Sequence, residues 1–143
     1  MKVKELMVKD VITLQNDTSA LEATRLLNKH KIGCLVVLRN RDIEGILTER
    51  DLLERVLEKC RSPEETKISE IMTKDVIVGK PDMEIGEATR IMEKNKVKKL
   101  PIVEKSHLVG IVTITDIARV TSVDKKTIEL VDALSNMHML PHK

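Results

Sequence analysis

Apolar and polar residues follow one another in the same order twice along this chain. Each copy begins with a short apolar run, residues 11–14 and then 76–78, followed by polar residues that end near Asp17 and Asp82. We interpret these two acids as helix N-caps, because a carboxylate there accepts unpaired backbone N–H groups of the first helical turn. Apolar residues then recur at helical spacing: Ala20, Ala23, Leu26 and Leu27 in the first copy, and Ile85, Ala88, Ile91 and Met92 in the second.

Two apolar runs separated by a polar turn complete each copy. Residues 35–38 and 43–47 flank the first turn, and residues 100–103 and 108–112 flank the second. Both pairs predict hairpins. Gly33 is predicted to end the first helix, and a further helix is expected to begin at each Thr-x-x-Asp sequence. The predicted unit is therefore β-α-β-β-α, and the fold class is α/β (α+β).

The two copies align at a constant offset of 65 residues without an insertion, and 18 of 51 aligned positions are identical. This duplication predicts two repeats packed with pseudo-two-fold symmetry. We expect repeat 1 at residues 1–60, a linker at 61–67, repeat 2 at 68–121, and a C-terminal helix and tail at 122–143. A unit of this size buries little core alone, so we expect the repeats to share one core and the chain to form a homodimer.

Composition excludes several classes of function. The chain contains no Phe, Tyr or Trp and carries a net charge of +2, so it lacks the aromatic platforms and the basic field typical of nucleic-acid binding. No apolar run approaches the ~20 residues that span a bilayer, and no signal peptide is evident. Cys34 and Cys60 form no metal-binding spacing with the histidines. We therefore expect a cytoplasmic protein without a membrane, nucleic-acid or metal partner.

Residues 45–51 and 110–116 share the pattern Gly-h-h-Thr-x-x-Asp, where h is apolar. One interpretation is a capping box, in which the Thr oxygen and the Asp carboxylate accept backbone N–H groups at a helix start. The other is a ribose site, because a carboxylate offers two acceptor oxygens to a vicinal diol, each bond contributing roughly 1.5–3 kcal/mol. The glycine inside each apolar run indicates close approach of a ligand to the backbone. Both interpretations stay open at this point.

These features together resemble tandem CBS domains, the pair called a Bateman module. The resemblance rests on the gapless repeat, the opening Met-x-Lys-Asp-Val-Ile, the Leu-Pro-Ile-Val run of the second copy and the two Gly-h-h-Thr-x-x-Asp turns, and it covers residues 1–121. It implies two repeats joined through their sheets, with two clefts that bind AMP, ADP, ATP or sometimes S-adenosylmethionine. It also implies a disc-shaped homodimer of two such modules.

The resemblance implies two ligand sites in this chain. In the first, Thr48 and Asp51 would hold a ribose and Ile77 would contact the adenine. In the second, Thr113 and Asp116 would hold the ribose, and the first repeat would line the base pocket. Arg50, Lys98 and Lys99 supply positive charge for phosphate. The complete predicted set is Ile12, Ile32, Gly33, Thr48, Arg50, Asp51, Ile77, Lys98, Lys99, Ile111, Thr113 and Asp116.

The function that follows is a regulatory module that binds an adenosine nucleotide and signals conformationally to an effector protein in trans. Two alternatives stay open: a dimeric scaffold whose Thr-x-x-Asp turns serve only as caps, and a sensor of S-adenosylmethionine. We do not expect an enzyme or a catalytic cofactor, because no sequence pattern pairs a nucleophile with a base.

Overall fold

The computed structural model describes residues 1–121, so the helix expected within 124–137 lies outside the described residues. The chain divides into two compact units. The first-repeat unit contains residues 10–76 and 105–108, and the second-repeat unit contains residues 1–9, 77–104 and, within the described part of the chain, 109–121. The opening segment of each repeat therefore belongs to the unit of the other repeat: residues 1–9 to the second-repeat unit and residues 68–76 to the first-repeat unit. We call these two the exchanged segments.

The first-repeat unit has the predicted β-α-β-β-α order. Its elements are β1 (Thr13–Gln15), α1 (Ala20–His30), β2 (Cys34–Arg39), β3 (Asp42–Thr48) and α2 (Glu49–Leu52), which continues as a π-helical turn, Leu53–Leu57. Strand β1 pairs parallel with β2, and β2 pairs antiparallel with β3. The predicted hairpin is confirmed, and the α+β fold class with it.

The second-repeat unit lacks one predicted strand. It contains α3 (Ile85–Asn95), β4 (Lys99–Glu104), β5 (His107–Thr113) and α4 (Ile114–Val120). Residues 76–78 form no strand; only Gly79 makes an isolated parallel bridge, to Ile102. A Cβ at Gly79 would lie 2.8 Å from the Leu100 side chain, so the chain passes too close to β4 for a side chain at that point. The strand prediction was wrong here: Pro101 of β4, which stands where the first copy has Val36, has no N–H to donate to residues 76–78.

The predicted helix ends were also wrong. Ser19, not Asp17, caps α1 by accepting the Glu22 N–H at 3.1 Å. Glu84 occupies the N-cap position of α3 without a side-chain cap, and Asp82 pairs instead with Lys4. Helix α1 ends at Lys31, whose φ of 53° is left-handed, and not at Gly33. The next residue, Ile32, donates its N–H to the Leu27 carbonyl and packs against the core, which fixes the left-handed residue immediately before it.

Each unit has its own core, completed by the segment that precedes the other repeat. Ile68, Ile71 and Met72 are buried with the first-repeat residues. At the equivalent positions, Val3 is buried and Leu6 and Met7 pack against the second-repeat core. The expectation of one shared core was therefore wrong. The exchange of segments supplies the apolar surface that a unit of this size otherwise lacks.

A glycine in β3 and another in β5 admit these exchanged segments. Ile46 and Thr73 form a two-way backbone bridge, with both N–H···O distances 2.9 Å. A Cβ at Gly45 would lie 2.6 Å from the Met72 sulfur and 2.8 Å from the Thr73 carbonyl oxygen. A Cβ at Gly110 would likewise lie 2.6 Å from the Met7 sulfur. The interpretation of these glycines as room for a ligand is corrected: the protein's own segment occupies that space.

No helix within residues 1–121 has the length and apolar character needed to cross a membrane.

The close approach at Gly45 predicts an unusually costly substitution. Gly45→Ala should lower the free energy of unfolding by roughly 1–3 kcal/mol, because the Thr73 backbone cannot move without breaking its bridge to Ile46. Gly86→Ala in α3 is the control, since its Cβ would meet only the Arg90 side chain, at 3.6 Å. That change should stabilise by up to about 1 kcal/mol. Urea denaturation of both variants measures the difference, and equal effects would contradict this role for Gly45.

The docking of residues 1–9 is expected to weaken in acid. Lys4 donates to Asp82 at 2.9 Å and lowers the pKa of that carboxyl, and the Lys2 side chain lowers the pKa of Glu84. A lowered folded-state pKa gives stabilisation that is present above the ordinary values of 3.8 and 4.5 and is lost as pH falls through the folded-state pKa. Both pairs are exposed, so salt should also weaken them.

Hydrogen-exchange protection of the Val3 and Val8 amides measures this effect. Protection should fall as the pH is lowered from 6 to about 3, and the Lys4→Gln variant should already show reduced protection at pH 6 with a flatter profile. A profile in Lys4→Gln identical to that of the unmodified protein would rule out the Lys4–Asp82 contribution.

Candidate functional site

Both Thr-x-x-Asp turns are capping boxes. Thr48 Oγ1 accepts the Asp51 N–H at 3.1 Å, and Asp51 Oδ2 accepts the Thr48 N–H at 3.0 Å. The second turn repeats these bonds between Thr113 and Asp116 at 3.1 and 3.2 Å. The capping interpretation is confirmed. In each turn one carboxylate oxygen, Oδ2, is oriented by the cap, which fixes the direction in which Oδ1 points.

The residue before β2 and the residue before β4 each accept a backbone hydrogen bond from the Thr-x-x-Asp turn of the same repeat. Glu49 donates its N–H to the Gly33 carbonyl at 3.1 Å, and Ile114 donates to the Lys98 carbonyl at 2.9 Å. Lys98 therefore lies directly beside the second turn, and Lys99 begins β4. The corresponding residues beside the first turn are Gly33 and Cys34, which carry no charge. Positive charge and a capped aspartate thus occur together in the second-repeat unit.

In the first turn, further side chains of the protein surround the aspartate. The Asp51 side chain is 9% exposed. The Thr73 hydroxyl donates to it, 3.3 Å from Oδ1 and 3.4 Å from Oδ2. Arg55 Nε lies 3.9 Å from Oδ1, and Arg55 Nη1 donates to the carbonyls of Ile71 and Met72 at 2.9 and 3.1 Å. Asp51 and Arg55 therefore connect α2 to the exchanged segment.

In the second turn, the aspartate is more accessible. The Asp116 side chain is 21% exposed, and Arg119 Nη1 lies 3.8 Å from its Oδ1. Val8 forms the backbone bridge with Ile111 that Thr73 forms with Ile46, and its side chain has no hydroxyl to donate. Val120 replaces Arg55 at the equivalent position. The two turns share their caps but differ in what covers the carboxylate.

The structure places the predicted site residues in both units. Thr48, Arg50, Asp51, Ile12, Ile32 and Gly33 belong to the first-repeat unit, and Ile77, Lys98, Lys99, Ile111, Thr113 and Asp116 belong to the second. Each predicted ligand site combines residues of both units, and both sites stay predictions. Arg50 forms an ion pair with Glu54 at 3.0 Å, so part of its charge is already neutralised. Ile12 and Ile77 are half-buried and pack against their own cores.

Three residues that matter for the turns were missed by the sequence analysis: Thr73, Arg55 and Val8. The alignment of the repeats contains the signal, because Thr73 stands opposite Val8 and Arg55 opposite Val120. Within residues 1–121, no cluster of three or more His, Cys, Asp or Glu side chains could hold a metal ion.

Comparison with known proteins identifies both repeats. The model of the CBS domain family matches residues 3–58 and 68–122. The CBS domain-containing protein YhcV of Bacillus subtilis is 33% identical over 116 residues, which cover 81% of this chain and 82% of that protein. Inosine-5'-monophosphate dehydrogenase of Methanocaldococcus jannaschii is 38% identical over 120 residues, which cover 82% of this chain but only 23% of the dehydrogenase. The similarity to that enzyme is thus confined to a part of it.

Solved structures agree with this assignment. A putative signal-transduction protein with CBS domains from Burkholderia ambifaria has a TM-score of 0.76 at 27% identity, covering 87% of this chain and 96% of that one. The CBS domain pair of protein MJ0100, solved in complex with 5'-methylthioadenosine and S-adenosyl-L-methionine, has a TM-score of 0.73 at 30% identity, covering 85% and 95%. With both repeats matched and both Thr-x-x-Asp turns formed, this chain belongs to the CBS domain family as a tandem pair.

Proposed function

We propose that this CBS pair is a regulatory module that binds an adenosine-containing ligand through its Thr-x-x-Asp turns. The observation that carries the proposal is the geometry of Asp116. Its Oδ2 is held by the Thr113 N–H at 3.2 Å, and its side chain retains 21% exposure. A carboxylate fixed in this way can accept two hydroxyl donors from a ribose, and it loses less conformational entropy on binding than an unrestrained side chain, because the cap already orders it.

The charge beside the second turn favours a phosphorylated ligand. Lys98, whose carbonyl accepts the Ile114 N–H, immediately precedes β4, and Lys99 is the first residue of that strand. Two lysines balance the charge of AMP or ADP better than that of ATP, since Arg50 already pairs with Glu54. We therefore propose AMP or ADP ahead of ATP. The module would act in the cytoplasm as a homodimer and pass the bound state to an effector protein.

A second candidate is a sensor of S-adenosylmethionine or its derivatives. The MJ0100 pair, 30% identical to this chain, was solved with 5'-methylthioadenosine and S-adenosyl-L-methionine. Both ligands share the adenosine diol with AMP but lack its phosphate. A Thr-x-x-Asp turn would recognise the diol of either class, whereas Lys98 and Lys99 would distinguish the nucleotides.

The scaffold alternative assigns the turns to folding alone. The bonds of the capping boxes are sufficient to explain why Thr and Asp occur at these positions. Ligand binding must therefore be tested with variants that retain the cap. An Asp→Asn change does this, because the amide oxygen can still accept the Thr N–H while the charge and one acceptor are removed.

Titration calorimetry with AMP, ADP, ATP, S-adenosylmethionine and 5'-methylthioadenosine tests the proposal. AMP or ADP should bind more tightly than 5'-methylthioadenosine. Asp116→Asn should weaken AMP binding by about tenfold or more, the loss expected for a charge-assisted hydrogen bond. Replacing Lys98 and Lys99 by Gln should weaken AMP binding and leave 5'-methylthioadenosine unchanged.

Asp17→Asn is the matched control, because Asp17 is exposed and belongs to neither turn. It should bind AMP like the unmodified protein. Tighter binding of S-adenosylmethionine than of AMP would support the second candidate instead. Failure of all five ligands to bind would support the scaffold.

A further inference from the structure

We propose that the two turns have different roles: the Thr113–Asp116 turn is the principal ligand site, and the Thr48–Asp51 turn is a latch that fastens the exchanged segment 68–76. Thr73, where the first repeat has Val8, is the residue that decides this difference. The ligand half of this inference rests on the proposed function, whereas the latch half rests only on contacts within the protein.

The latch is built from hydrogen bonds that converge on one buried carboxylate. Asp51 accepts the Thr48 N–H from α2 and the Thr73 hydroxyl from the exchanged segment. Arg55 lies 3.9 Å from Oδ1 of the same carboxylate and donates to the carbonyls of Ile71 and Met72. The aspartate and the arginine thus connect the helix to three consecutive residues of the segment, 71–73. A charge that is buried this completely needs such partners to stay ionised without a large cost.

The same contacts place the first turn at a disadvantage as a ribose site. A ribose hydroxyl can reach Asp51 only by displacing the Thr73 hydroxyl from both carboxylate oxygens. Replacing one hydrogen bond by another in this way brings little net free energy of binding. At the second turn the equivalent side chain is that of Val8, which is 48% exposed and carries no donor. Oδ1 of Asp116 faces Arg119 at 3.8 Å, a distance that leaves room for a hydroxyl to accept from the guanidinium and donate to the carboxylate.

Charge and accessibility therefore favour the same turn. Lys98 and Lys99 lie beside the Asp116 turn, where the first repeat has Gly33 and Cys34. The first turn combines a covered carboxylate with an uncharged neighbour. The second combines an accessible carboxylate with two cations. The second turn therefore has the charge and the exposure of a binding site, whereas the first turn, which is equivalent in sequence, has the features of a structural element.

The latch can be tested without any ligand, because the internal repeat supplies its own control. Asp51→Asn and Asp116→Asn remove the same atom from equivalent capping boxes. Asp51→Asn should raise the unfolding equilibrium constant about fivefold more than Asp116→Asn, the effect expected for the loss of the additional hydrogen bond. In a double-mutant cycle, Thr73→Val and Asp51→Asn should be non-additive by a similar factor, whereas Val8→Thr in an Asp116→Asn background should have no stabilising effect.

The ligand half is tested by exchanging the two residues and titrating with AMP. The unmodified protein should show one principal binding event that Asp116→Asn weakens about tenfold or more and Asp51→Asn retains. Val8→Thr should weaken that event several-fold, since the new hydroxyl competes for Asp116. Thr73→Val, or Thr73→Ala if the valine disturbs the bridge, should add or strengthen a second event at Asp51.

Distinct results would overturn each part. Equal losses of stability in the two Asp→Asn variants, with an additive Thr73–Asp51 cycle, would overturn the latch. Loss of the principal AMP event in Asp51→Asn with its retention in Asp116→Asn would reverse the assignment of the ligand site. Absence of AMP binding in the unmodified protein, together with a confirmed latch, would overturn the proposed function and the ligand assignment while the structural role of Thr73 stands.

Discussion

The two-way backbone bridge between Ile46 and Thr73, repeated between Ile111 and Val8, is the interaction on which the rest of the structure depends. It fastens the segment that precedes one repeat to the unit of the other. Neither core is complete without that segment, because Ile68 and Val3 are fully buried in units to which their own repeats do not belong. The bridge requires a glycine one residue earlier in β3 and β5, since Met72 or Met7 fills the space a Cβ would need. The motif glycine is thus explained by folding, not by a ligand.

The capping boxes use only part of each aspartate side chain to begin a helix. A box orders the helix start with one carboxylate oxygen and leaves the other oxygen to its surroundings. Those surroundings come from the exchanged segment and from the following helix, which supply Thr73 and Arg55 in one unit and Val8 and Arg119 in the other. The chemistry of each turn is therefore set by residues outside the Gly-h-h-Thr-x-x-Asp motif.

The sequence was sufficient for the fold class, the hairpins and the starts of α2 and α4, because these depend on local periodicity and on capping within four residues. It failed where a long-range contact decided the outcome. The C-cap of α1 falls at Lys31 because Ile32 packs against the core, and residues 76–78 form no strand because Pro101 of β4 has no N–H to donate to them. The two Thr-x-x-Asp turns followed from the repeat, whereas the internal partner of Asp51 did not, since Thr73 lies 22 residues away along the chain.

Duplication explains why the two turns could diverge without loss of the fold. Position 8 and its counterpart 73 contribute to folding mainly through their backbone N–H and carbonyl groups, which are the same for valine and threonine. Their side chains are free to differ, and the difference reaches the aspartate of the neighbouring turn. A hydroxyl there donates to the carboxylate, and an isopropyl group offers it no donor. One γ-substituent, at a position that the bridge already holds in place, therefore changes which groups reach the aspartate of the neighbouring turn.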